Sequence, residues 1–421
     1  TTASNNTAVG YASLGANTTG ASNTAVGFQA ADAITTGSDN VSVGLAALTS
    51  DTLGNKSVAI GNYSLAYQNF TSATDTYNTA VGHLAGNRVT TGVQNTLIGG
   101  LAGDALTVGY NNVALGSLAL SSDTAGNDNT AVGRGALGSQ NFTSATDSLN
   151  TGIGYLAGAG VTTGIQNTLI GGLAGDALTD ADYNTAVGYS ALTSDTLGSR
   201  SVAMGTGALG QQNFTSATNA YNTAVGMSAG GAVTTGIQNT LIGGLAGDAI
   251  TTGNSNTALG YNSLTANTTG ENNTAVGHAA LDTNTTGYQN VGIGINALGA
   301  NTTANNNVAV GVNSLLSNTT GTSNTALGSF ALDANTTASN NSAFGYNSLT
   351  ANTTGTRNTA SGAYTLSGNT TASDNTAFGY QVLEANTTGA NNTAVGTYAL
   401  DANTTASNNT AVGYASLGAN T

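Results

Sequence analysis

Residues 6–10 read NTAVG, residues 23–27 read NTAVG again, and residues 40–44 follow with NVSVG. The closing glycine returns after 17 residues at Gly10, Gly27, Gly44 and Gly61, then after 21 at Gly82, then after 17 at Gly99. Later steps are 17 residues, apart from Gly133 to Gly154 and Gly205 to Gly226, which are again 21. The four extra residues fall in QNFTSATD at 68–75 and 140–147, and in QNFTSATN at 212–219. A fixed period of this kind is the signature of a solenoid or array.

Longer periods lie above the rung. NTLIGGLAGDA recurs at 95–105, 167–177 and 239–249, a spacing of 72 residues. The chain therefore reads as one continuous array of 24 rungs over 1–421, with 72-residue super-repeats in 1–253 and uniform 17-residue rungs in 254–421. Residues 1–18 and 404–421 are identical. A segment that re-enters its own starting phase is expected to belong to a longer polypeptide that continues the array.

Each rung is numbered here from its repeat glycine, taken as position 0. Position −1 is bulky and apolar in all but one rung (Val9, Val26, Val43, Ile60; Ser361 is the exception), position −3 is Thr or Val in all but one (Ser342), and position −2 is usually small. Alternation with period two predicts a short strand. The expectation is that −1 and −3 form its packed face and that the small residue faces a closely approaching neighbour. The glycine predicts a turn with positive φ. Leu at +4 (Leu14, Leu48, Leu65, Leu120) predicts a second short strand. Asn at −4 (Asn6, Asn23, Asn40) predicts a side-chain ladder between rungs. Identical residues once per rung favour parallel, in-register stacking over hairpins. The predicted fold is an all-β parallel β-solenoid, or β-roll, of 17-residue rungs with three of 21.

Composition limits the function. Only 6% of residues are charged, with 60 Gly, no Pro and no Cys. Scarce Lys, Glu and Arg make helices poor candidates, and 39% apolar residues argue against disorder. A net charge of −14 argues against nucleic-acid partners, which require basic contacts. No apolar run reaches the roughly 18 residues of a membrane span. Without Cys there is no disulfide and no thiolate metal site.

SVAIG at 57–61, SVAMG at 201–205 and the many NTAVG units resemble the head repeat of YadA-like trimeric autotransporter adhesins. The resemblance extends over the whole chain, although the family's rung is shorter. It implies a left-handed roll, three chains packed around an axis, and adhesion to host surface, matrix or glycan. Similar repeats occur in phage tail fibres and other long surface fibres. The expected function is a structural extracellular fibre or adhesin, at the cell surface or on a virion, that self-associates as a homotrimer or filament. A phage tail-fibre shaft and an ice-binding solenoid are the alternatives.

Chemistry finds little footing. GMSAG at 226–230 fits a nucleophile elbow around Ser228, and GIGYLAG at 152–158 is a loose dinucleotide-type match, but both motifs need a following helix that is not signalled here. His83 and His278 occupy position +1 as surface variants. Acidic residues recur at +5 (Asp32, Asp104, Asp176, Asp248), without a second ligand at fixed offset for a cation. The reading is therefore not an enzyme, with no cofactor. Sequons give candidate N-glycosylation sites on turns: Asn69, Asn141 and Asn213 in N-F-T, and Asn17, Asn267, Asn284 and later rungs in N-T-T.

Overall fold

The computed structural model describes residues 2–420 and divides into two compact units, Thr1–Ala220 and Tyr221–Thr421. Among the described residues there is no helix, and each unit carries twelve three-residue strands, one per rung. The fold is a parallel β-solenoid of about 24 turns. In the first unit Thr7–Val9 pairs with Thr24–Val26, with Thr7 opposite Thr24, Ala8 opposite Ala25 and Val9 opposite Val26. The second unit repeats this register, for example Val308–Val310 on Thr325–Leu327. The three 21-residue rungs each add a two-residue strand that pairs one rung back, such as Thr74–Asp75 on Gly54–Asn55.

The strand faces are the reverse of the sequence expectation. The small residue points into the core: Ala25, Ala59 and Ala80 are fully buried. Position −1 points outward, with Ile60 38% and Leu115 44% exposed. The reason is the narrow interior. Opposite the strand stand the +3 and +4 side chains, so little room remains; even a Cβ added at Gly152 would lie 2.9 Å from Leu137 Cγ. Where −2 is large, +4 is glycine. Leu97 faces Gly103, and a Cβ on Gly103 would sit 2.8 Å from Leu97 Cδ2.

The +4 segment is also not a strand. Leu14, Leu48, Leu65 and Leu120 lie on turns with φ of 51°, 51°, 46° and 52°. L-residues enter this region at a cost of about 1–2 kcal/mol. Two features offset it. Leu48, Leu65 and Leu120 are fully buried. The backbone also bonds between rungs in both directions: Leu14 N–H donates to Ala30 O at 3.1 Å, and Gln29 N–H donates to Tyr11 O at 2.8 Å.

Position +7 completes the core and follows +4. Rungs with Leu at +4 carry Asn, Asp or Gln at +7, as in Leu48 with Asp51 and Leu264 with Asn267. Rungs with Gly or Ala at +4 carry an aliphatic residue, as in Gly86 with Val89, Gly103 with Leu106 and Ala31 with Ile34. The two positions share one interior volume, and close packing requires it to be filled once.

Candidate interaction surface

The repeat glycines hold the corner after each strand. Gly10, Gly27, Gly44, Gly61, Gly82 and Gly99 have φ between +131° and +142°. A Cβ on Gly27 would also run into the carbonyl oxygen of Gly44 in the next rung. Conformation and stacking therefore both demand glycine.

The asparagines at −4 connect the rungs, mainly through backbone. Asn6 Oδ1 accepts from the Asn23 N–H at 2.8 Å, and Asn23 Oδ1 accepts from the Asn40 N–H at 3.0 Å. Each Nδ2 donates across its own turn, Asn6 to Gly20 O and Asn23 to Gly37 O at 2.8 Å, and Asn40 to Gly54 O at 2.9 Å. Asn23 and Asn40 are buried and Asn6 is half-buried.

The sequons separate into two classes. Asn69, Asn141 and Asn213 are exposed, each accepting a Thr hydroxyl from the preceding rung at 3.1, 3.3 and 3.1 Å. The N-T-T asparagines are not surface acceptors. Asn267 and Asn284 are fully buried, and Asn17 is half-buried. Asn284 Nδ2 donates to Asn267 Oδ1 and to Gly287 O, both at 3.0 Å. This row is a second internal ladder, because +7 is an inward position; an amide engaged there is closed to a glycan.

In the first unit the same column holds buried carboxylates. Asp51 Oδ1 accepts from the Gly54 and Phe70 amides at 3.0 and 3.4 Å, and its Oδ2 accepts from Gln68 Nε2 at 2.6 Å. Gln68 Oε1 in turn accepts from Asn78 Nδ2 at 2.9 Å. Burial pushes the Asp51 carboxyl above its ordinary range, and these accepted hydrogen bonds pull it back.

The other candidates are dispersed. Ser228 is half-buried at +2 on a turn with φ 53°, and Gly152–Gly158 runs from a strand into turn. His83 and His278 are exposed, and His278 stacks on Tyr261 at 5.8 Å. Several +5 acids accept a Thr hydroxyl from the next rung, as Asp32 does from Thr49 and Asp176 from Thr193, both at 2.6 Å. Burial raises the carboxyls of Asp104 and Asp282. Among the described residues no three His, Asp or Glu side chains gather as a metal site, and no helix is long and apolar enough to cross a membrane.

What remains is a surface. In each unit the outward side chains at −3 and −1 form two columns on a parallel sheet, Thr or Val (Ser342 is the exception) beside aliphatic, Met or Phe, with Ser361 the one polar residue at −1. In the second unit Leu259, Leu327 and Phe378 are 45%, 47% and 43% exposed. Aromatic rings gather beside them at +1 and +2, among them Tyr346, Tyr364 and Tyr380. By sequence, +1 stands out only as a variable surface position. The signal was present as a two-rung alternation of Tyr between +1 and +2. No family model matches the chain, and no curated protein matches it significantly.

Proposed function

We propose that this chain is a structural and adhesive element of an extracellular surface fibre, in which solenoids associate side by side through the −3/−1 sheet face. The observation that carries the reading is the outward apolar column in each unit, interrupted in the second by Ser361. Soluble monomers rarely expose a long contiguous apolar patch, and such a patch marks an interaction site. Here it lies on a regular sheet that a second copy can match rung for rung. Three chains is the number the adhesin-head resemblance implies. A tail-fibre shaft on a virion would use the same architecture. We assign the chain no catalysis. The test is the solution mass of the 421-residue chain by light scattering, against 40.9 kDa for one copy. A multiple is expected, and reduction to one copy by a charged residue in the column.

Ice binding is a second reading of the same face, since a Thr column beside an aliphatic column at fixed spacing is an ordered, weakly hydrated surface. The adjacent Thr-Thr pairs contribute less. In Thr251, Thr268 and Thr285 the hydroxyl donates to the next rung's carbonyl at 3.1, 3.1 and 3.0 Å, which leaves only one outward Thr per pair. Thermal hysteresis in a freezing assay distinguishes the readings.

A further inference from the structure

The second unit carries a row of rings that neither the core nor the sheet requires. Phe330, Tyr346, Tyr364, Tyr380, Tyr398 and Tyr414 follow one another in six consecutive rungs, alternating between +2 and +1. Neighbouring centroids are 6.1, 5.5, 6.3, 5.8 and 6.0 Å apart, and each ring stands at 80–89° to the next. Tyr346 and Tyr380 are 46% and 43% exposed. The +1 position has no such obligation elsewhere: the first unit places Asn62, Gly100 and Gly172 there.

We propose that this row binds an extended β-1,4-linked glycan of the cellulose or chitin type, running along the stacking direction. The inference rests on the attachment reading and names its ligand class. The first argument is periodicity. Rungs are about 4.8 Å apart, so the same ring position recurs about every 9.6 Å. In an extended β-1,4 chain alternate sugars are flipped, and the same sugar face recurs once per disaccharide, a length close to that two-rung step. Coiled α-linked chains have no matching repeat.

The second argument is chemistry. Sugars with all-equatorial substituents present an apolar C–H face, which suits the face of a phenol ring. Between the rings the row is small or polar: Ser329, Ala363 and Thr397 at +1, Asn347 and Gln381 at +2. Gln381 Nε2 donates to Glu384 Oε2 at 2.7 Å, which leaves its carbonyl oxygen to accept from a hydroxyl. A net charge of −14 favours a neutral glycan over an acidic one. Edge-to-face pairs also stabilise the surface by about 0.5–1.5 kcal/mol each and themselves account for the alternating ring orientation, but they do not require the rings to be exposed.

The experiment is retention of the full chain on microcrystalline cellulose and on β-chitin, with amylose as the α-linked control, and calorimetry with cellohexaose and chitohexaose. The wild type is expected to be retained on at least one β-linked polymer and not on amylose; the polymer retained identifies the source. The Tyr346→Ala/Tyr380→Ala double variant is expected to bind about tenfold or more weakly. Tyr346→Phe/Tyr380→Phe, which keeps the rings, is expected to bind like the wild type and guards against simple misfolding. No retention on either β-linked polymer, equal retention on amylose, or an undiminished double-Ala variant with an intact fold overturns the proposal. Solution mass is read in parallel. A multi-chain mass without glycan retention removes only the ligand, whereas glycan retention by single chains removes only lateral association.

Discussion

At the scale of the residue, the repeat is enforced by backbone geometry more than by side-chain size. The glycine at position 0 was legible from spacing alone, and its φ gives the reason. Gly294 has φ +133°, and a Cβ there would lie 2.5 Å from the carbonyl oxygen of Gly311. Gly294→Ala is expected to lose about 2 kcal/mol or more in urea unfolding. Gly299→Ala, where φ is not positive and the nearest atom is Leu316 Cδ1 at 3.2 Å, is expected to change stability by less than about 1 kcal/mol. Asp51 makes a similar point about hydrogen bonding. It stands at the all-acceptor end of a buried chain that runs from Asn78 through Gln68. Asp51→Asn sets two amide donors against each other and is expected to cost about 1–3 kcal/mol. The sign of its pH dependence follows from burial. Its folded pKa lies above the ordinary 3.8, so protonation favours the fold. The contribution is fully present below 3.8 and is lost as pH rises through the raised value. A carbon-detected carboxyl titration is expected to give Asp51 a midpoint above 3.8.

At the scale of the element, the sequence disclosed a strand but not which side of it is inside. Alternation in NTAVG is symmetric between faces, and the habit of placing the larger residue in the core selects Val over Ala. The interior of a 17-residue turn is too narrow for that choice, because Leu at +4 already occupies it. Likewise Leu at +4 resembles a strand residue, yet it sits in a positive-φ turn that inter-rung bonds support. N-T-T reads as a surface turn, whereas its Asn is an internal rung connector. The signal that resolves all three was in the chain: +4 and +7 exchange bulk from rung to rung, which only residues sharing one cavity would do. Leu332, fully buried at +4, is the corresponding test. Leu332→Ala is expected to cost about 2–5 kcal/mol in denaturant unfolding, because neighbouring rungs fix the walls of the space it leaves.

At the scale of the whole molecule, the period, the parallel register and the all-β class could be read from sequence, since identical residues recur at a fixed step. The interaction surface could not. Pattern alone places the apolar column at −1 in the core, whereas it lies outward, and an apolar face turned to water asks for a partner. Ile293 is 37% exposed in that column. Ile293→Lys leaves the interior untouched and is expected to shift stability little while preventing close association by placing like charges opposite one another. The most direct measurement is light scattering on the wild-type chain and on Ile293→Lys at matched concentration. Lateral association predicts a wild-type mass that is a multiple of 40.9 kDa and a variant mass near 40.9 kDa. A wild type that stays at the single-chain mass across the accessible concentration range would contradict the account.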